Sequence, residues 1–315
     1  MLAPKGRSLG IDQKIALAKE LGVHFIRLGE TAGTMSSADK ASAYQQAGFA
    51  VLLNIRNAAI PAAAVKDMEA FKRSVGTIID TDHPDLIVIE NEENNPRFYV
   101  GTADEYVAEL QAAIDVAHAK GMKVADGGIT SIPAAFLTWK HLWDTGDRAR
   151  ADVFAQTAFA YARGTGQRLL PTLPTQAHPD RPVVLGKSLE KTVPMVQALI
   201  AAFKTMDLDY VNFHWYESDS RATASLRDIV AYLKEATGKQ VISNEFGQLD
   251  MASETMTSLL TGMHDLGLPY LVWFSGDDPN GPVPGGGNGP YALQDENGKL
   301  RPNGEAFRKV VRSLF

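Results

Sequence analysis

Leu86 to Asn95 read LIVIENEENN, four apolar residues followed without a break by six carboxylate and amide residues. An apolar run rich in β-branched residues describes a strand buried on both faces, as in a parallel sheet covered by helices. Its abrupt end in acids and amides is what the carboxyl end of a barrel strand looks like, where βα loops gather reactive groups. The pattern recurs at Gln240 to Gly247, QVISNEFG, where a β-branched run ends in Asn244-Glu245. Glu92, preceded by Asn91, and Glu245 lie 245 − 92 = 153 residues apart. Only a fold can bring them together.

Working outward, helix and strand signals alternate along most of the chain. Asp12 is read as the cap of a helix through IDQKIALAKELG that Gly22 stops, and Val23 to Leu28 (VHFIRL) as a strand carrying Arg27 near its end. A helix over about Ala38 to Ala47 leads into the strand FAVLLNI, and Pro61 is expected to open a helix reaching Ile79. Thr102-Ala103-Asp104-Glu105 starts a helix to Lys120, and MKVADGGI follows as a strand. Between Thr130 and Leu208 three helical stretches and a proline-rich loop, LLPTLPTQAHPDRPVVLG, form one enlarged βα excursion. The alternation then resumes with the strands DYVNFHWY, QVISNEF and YLVWF, and a helix from Pro302 closes the chain.

Seven strands are clear, near residues 25, 52, 88, 125, 212, 243 and 272. A (β/α)8 barrel needs an eighth, and only the strand-poor Met1 to Leu9 is left for it. The expected fold is therefore α/β, a single (β/α)8 TIM barrel domain over residues 1–315 with an excursion at about 130–208. Its first strand should be weak or missing, an incomplete barrel being the alternative.

Composition excludes several function classes. The 315 residues are 45% hydrophobic and 22% charged, a globular balance, and the net charge of −6 comes with no basic run to draw nucleic acid. No apolar stretch approaches the roughly 18 residues of a membrane span, so neither nucleic acid nor membrane is an expected partner. The absence of cysteine removes disulfides, thiolate metal sites and a cysteine nucleophile. It leaves the compartment open between the cytoplasm and export with a signal removed. Gly285 to Gly289 looks like a phosphate loop only superficially, because no Lys-Ser/Thr follows and no helix starts there.

The ordered set of motifs resembles clan A of the retaining glycoside hydrolases, families 5 and 39 in particular. Counting the missing strand as the first, Arg27 falls at the end of the second, Asn91-Glu92 at the fourth, and His214 and Tyr216 at the sixth. Glu245 falls at the end of the seventh and Trp273 in the eighth. The resemblance implies Glu92 as acid/base, Glu245 as nucleophile, and Arg27, Asn91, His214, Tyr216 and Trp273 as substrate-binding or supporting residues. It implies a retaining, polysaccharide-degrading β-glycosidase without metal or other cofactor, and the long excursion with its aromatics, able to wall a cleft, points to β-linked glucan or mannan chains cut internally. The chain departs from the pattern in its weak first strand and in lacking a proline after Asn91-Glu92.

Those roles make chemical sense. Double displacement needs one carboxylate kept ionised, which Arg27 and Tyr216 would favour at Glu245, and one carboxyl that keeps a proton, which burial and the charge of Glu245 would favour at Glu92. Asn91 would donate to the sugar 2-hydroxyl, and Trp273 would floor the cleaved sugar, with Trp139, Trp143, Trp215, Phe98 or Tyr99 at outer subsites. Alternation leaves Glu90 as a rival acid, and Arg27 could instead neutralise Glu90. Two rival functions remain, a non-catalytic carbohydrate-binding barrel and a metal-dependent barrel hydrolase. Against the second, the seven histidines never fall as His-x-His or His-x-x-x-His.

Overall fold

A computed structural model describes residues 2–3, 10–33, 41–160, 164–217, 220–275, 292–295 and 298–315. Eight parallel strands follow one another around a closed barrel in chain order: β1 (Leu2–Ala3), β2 (Phe25–Thr31), β3 (Ala50–Arg56), β4 (Leu86–Ile89), β5 (Val124–Ala125), β6 (Tyr210–Glu217), β7 (Gln240–Gln248) and β8 (Leu271–Phe274). The first strand is as weak as its sequence implies. Its two residues close the ring through Leu2 opposite Ile26 on one side and Leu2 and Ala3 opposite Trp273 and Phe274 on the other.

Strand alternation sorts the apolar residues into two layers. Leu52, Leu86, Val88, Ala125, Tyr210, Ile242 and Val272 form a buried cluster inside the barrel. Their neighbours Val51, Leu53, Ile87, Ile89, Val211, Phe213 and Val241 belong to the larger core beneath the helices. Phe25 and Tyr210 each meet Tyr270 edge-on at 5.5 Å, which plugs the amino end. The carboxyl end is left to polar residues.

The helices are α1 (Ile11–Leu21), α2 (Ser42–Gln46), α3 (Met68–Asp82), α4 (Ala103–His118), α5 (Ser131–Asp144), α6 (Arg148–Phe159), α7 (Thr165–Leu169), α8 (Lys187–Phe203), α9 (Leu226–Thr237), α10 (Ser253–Asp265) and α11 (Pro302–Leu314). Four of them, α5 to α8, lie between β5 and β6. At α4 the capping box is realised: Glu105 N–H donates to Thr102 Oγ1 at 3.3 Å and Thr102 N–H to the Glu105 carboxylate at 2.7 Å.

Several local expectations are corrected. Asp12 lies in the first turn of α1, and Gly10 is the N-cap, its N–H donating to Gln13 at 3.0 Å. Pro61 does not open a helix. Ala62 donates its N–H to Phe98 C=O at 2.7 Å and accepts from Val100 N–H at 2.9 Å, which commits it to a bridge beside the β4 loop. Helix α3 begins only at Met68, where the Asp67 carboxylate accepts Ala70 N–H at 2.9 Å. The fifth strand is two residues long because the Asp126 carboxylate, in place of a ladder carbonyl, accepts Asn212 N–H at 2.7 Å. The Gly285 to Gly289 stretch and parts of the helices expected at Ala38 to Ala47 and up to Ala162 lie outside the described residues.

Candidate active site

Strand parity aims the polar residues at the carboxyl mouth. On β2 Arg27 follows Phe25, on β3 Asn54 follows Leu52, and on β6 Asn212, His214 and Tyr216 follow Tyr210, all on the inward side. On β7 a register shift breaks the rule. Asn212 pairs with Ile242 but His214 with Glu245, so three residues of β7 stand against two of β6. This bulge turns both Asn244 and Glu245 inward. On the β4 loop, Glu90 and Glu92 take positive φ values of 65° and 45°. There the alternation ends, and the two glutamates part company.

Glu245 receives the Arg27 guanidinium as an ion pair and the Tyr216 hydroxyl at 2.7 Å. Arg27 in turn donates to Asn54 Oδ1, and to Asn91 Oδ1 at 2.7 Å. Burial alone would raise the Glu245 carboxyl, but Arg27, His214 and the two donated hydrogen bonds outweigh it and hold the group down at about 2. Glu245 is an ionised carboxylate over the whole neutral range. Asn91, its oxygen engaged by Arg27, is among the residues that line the cavity beside Glu245.

Glu92 accepts from Asn95 Nδ2 at 2.5 Å on Oε2 and meets His214 Nδ1 at 3.1 Å on Oε1. Burial pulls the His214 ring down, while the Glu245 and Glu92 carboxylates overcome that and leave it raised. His214 continues through Nε2 to Asn244 Oδ1 at 2.8 Å. One side-chain oxygen of Glu92 and one of Glu245 lie within 4.8 Å of each other and of a His214 ring nitrogen. Residues Glu92 and Glu245 are 8% and 9% exposed, so both are shielded yet not sealed off.

A cavity of about 230 Å³ opens on the Glu245 side, lined by Arg27, Asn54, Arg56, Asn91, Phe98 and Phe274 among others. A second, of about 390 Å³, is lined by Asn95, Thr130, Ser131, Ser188, Thr192 and Tyr216 among others. Helix α8 of the excursion thus walls one end of the mouth.

Of the residues chosen from sequence, Arg27, Asn91, Glu92, His214, Tyr216 and Glu245 stand together. Trp273 does not. It has the opposite parity from Val272 and Phe274 and is buried in the outer layer between Phe246 at 5.5 Å and Phe307 at 5.9 Å. Phe274 lines the Glu245 cavity in its stead. Glu90 is withdrawn too: its Oε1 accepts Asn57 N–H at 2.5 Å, and its neighbour is Glu109. Arg27 therefore pairs with Glu245 and not with Glu90. Among the outer aromatics, Phe98 lines the cavity, whereas Trp139, Trp215 and Tyr99 are buried and Trp143 stacks on Trp139. Sequence reasoning passed over Asn54, Asn95, Asn212 and Asn244, which orient the charged groups; the Asn directly before Glu245 in QVISNEFG was the one visible signal.

Glu92, His214 and Glu245 are also the only described group of three metal-ligating side chains close enough to share an ion. Their atoms are already committed to Arg27, Tyr216, Asn95 and Asn244, and a cation there would face the Arg27 guanidinium. The donor set fits an ion-paired carboxylate better than a metal.

No protein-family model matches the chain, and no curated protein matches it in sequence. Solved structures share the fold. A GH128 subgroup II endo-β-1,3-glucanase from Sorangium cellulosum superposes with a TM-score of 0.60 at 14% identity, over 98% of both chains. A GH5_18 protein from Bifidobacterium longum subsp. longum, in complex with Manβ1-4GlcNAc, gives 0.59 at 13%, over 96% of this chain and 72% of that one. An endo-β-1,4-mannanase from Thermotoga petrophila gives 0.51 at 11%, over 95% and 72%. The chain thus shares its barrel fold with these solved structures.

Proposed function

We propose that this protein is a retaining β-glycoside hydrolase acting on β-linked oligo- or polysaccharide of glucan or mannan type. The observation that carries the reading is the Glu92–Glu245 pair, with oxygens within 4.8 Å across an accessible mouth. Retaining enzymes hold their carboxyls about 5–5.5 Å apart and inverting ones about 6.5–9.5 Å, to admit a water. Glu245, ionised and held by Arg27 and Tyr216, attacks the anomeric carbon; Glu92 gives a proton to the departing oxygen and then takes one from water. Asn91 offers its amide to the 2-hydroxyl, and Phe274 gives the sugar an apolar face.

A second hollow, against Tyr216 and Asn95, whose side chains bond Glu245 and Glu92, offers room for more of a chain than the cleaved sugar, which supports internal cleavage. The fold is shared with endo-β-1,3-glucanases and a β-mannanase, consistent with the same substrate classes. The test is turnover of aryl β-glucosides and β-mannosides and of β-1,3-glucan, β-1,4-glucan and mannan, by the wild type and by Glu245→Ala and Glu92→Ala. The wild type should cleave at least one polymer to oligosaccharides, and each variant should lose most of that activity. Binding without cleavage would make the barrel a carbohydrate-binding protein. Cleavage of aryl monosaccharides alone would remove the internal mode.

A further inference from the structure

The amide groups around His214 can be oriented from the backbone outward. Asn212 Oδ1 accepts the Asn244 backbone N–H at 2.9 Å, and its Nδ2 donates to Asp126 C=O at 3.2 Å. A backbone donor and a backbone acceptor thus decide which end of Asn212 is which. Its Nδ2 also donates to the Asn244 side chain at 2.7 Å, which makes the Asn244 atom there the oxygen. His214 Nε2 lies 2.8 Å from that same oxygen and must be its donor. In the neutral ring Nδ1 then carries a lone pair, and it faces Glu92 Oε1 at 3.1 Å. Asn95 donates to Oε2, so Oε1 is where Glu92 carries a proton.

We infer that Asn244, oriented by Asn212, is a positioning residue that locks His214 in its Nε2–H form, so that the Glu92–His214 pair retains a proton until the glycosidic oxygen takes it. Were the ring free, losing the pair's proton would leave an Nδ1–H donating to the Glu92 carboxylate, a stable arrangement. With Nε2–H fixed, the same loss leaves a carboxylate facing a lone pair. The pair therefore resists deprotonation in solution. During glycosylation the proton goes to the leaving oxygen; in the second step one proton of the attacking water returns to Glu92 as its oxygen bonds the anomeric carbon. The lone pair opposite Glu92 strengthens that base.

Space around the ring is consistent with a fixed position. A Cβ on Gly128, whose φ is 111°, would come within 2.3 Å of Nε2. The charged groups around the ring are Glu92 from the β4 loop, Glu245 from β7 and Arg27 from β2. Asp126, just after β5, with Glu93 beside it, lies behind Asn212, and burial pushes Asp126 up to about 7. Asp126 is common to the wild type and the variants below, so it cancels in their difference.

The inference rests on Glu92 acting as acid/base, and its test separates the two. In long-range ¹H–¹⁵N spectra of the wild type, where only seven histidines need assignment, His214 should show the Nε2–H form at pH values where the enzyme is active. In kcat/KM profiles, Asn244→Ala should move the alkaline limb down by about one pH unit or more. The acid limb should stay in place, and Asn244→Asp, which keeps an acceptor facing Nε2, should hold the alkaline limb at or above its wild-type position. An Nδ1–H ring in an active wild type overturns the inference alone, even if Asn244→Ala fails to fold. So does an unmoved alkaline limb in a folded Asn244→Ala. A chain with no glycosidase activity would sink the proposed function while leaving the ring's form measurable.

Discussion

Replacing Arg27 by methionine tests whether Glu245 is ionised because of its neighbours. The side chain is buried, and Arg27 is its ion-pair partner among the described residues. Holding the carboxyl at about 2 against an ordinary 4.5 is a shift of 4.5 − 2 = 2.5 units, or about 3 kcal/mol in favour of the charged form. Because the folded value is the lower one, that stabilisation is present above about pH 4.5 and is lost as pH falls towards 2. In Arg27→Met only Tyr216 and His214 remain to oppose burial, and the carboxyl rises; Asn54 and Asn91 also lose their donor. The variant should lose about 3–5 kcal/mol at pH 7, the usual cost of breaking a buried pair from one side. It should lose less at pH 4, where protonation relieves the unpaired charge. Urea unfolding at the two pH values measures this directly. The acid limb of kcat/KM should rise by about two units or more, with at least a hundredfold loss at pH 7. Equal destabilisation at both pH values with an unmoved acid limb would refute the reasoning.

Other changes separate neighbouring residues. Trp273→Ala should cost about 3–5 kcal/mol in unfolding experiments, as for an aromatic removed from a core, whereas Phe274→Ala should raise KM about tenfold with a smaller stability loss. Equal effects on KM would return Trp273 to the site. Burial, with the adjoining Glu90 carboxyl, pushes Glu109 up to about 10. The folded chain thus keeps a proton that the unfolded chain releases, and stability falls between about pH 4.5 and 10. Glu109→Gln should therefore gain on the wild type by up to about 1.4 kcal/mol per pH unit as unfolding is followed from pH 5 to 9; parallel curves would show that Glu109 ionises normally. Gly128→Ala should displace His214 and cut kcat, with a backbone strain of about 1–3 kcal/mol besides; wild-type kcat would show that the ring tolerates movement.

Much of this was legible in the sequence because it depends on period and order. Apolar runs on both faces gave parallel strands, and polar residues at strand ends gave the mouth, which brought Arg27, Asn91, Glu92, His214, Tyr216 and Glu245 into one reading. What escaped depends on one-residue shifts. Trp273 and Phe274 differ only in parity, and the motif favoured the tryptophan although the barrel sends it outward. The β7 bulge turns Asn244 inward beside Glu245, and nothing in VISNEFG marks it. Glu90 and Glu92 look equivalent by alternation, but their positive φ values end the strand geometry on which that argument relied. The asparagines that orient the charges are common polar residues with no spacing signature.

The most direct test of the account is the configuration of azide adducts formed by two variants on an activated aryl β-glycoside. In Glu245→Ala azide should replace the missing nucleophile in a single displacement and give the α-glycosyl azide. In Glu92→Ala azide should attack the glycosyl enzyme that Glu245 still forms and give the β-glycosyl azide. Opposite configurations are the predicted result. The same configuration from both variants, or no rescue of either in folded protein, would contradict the assignment of nucleophile and acid/base to Glu245 and Glu92.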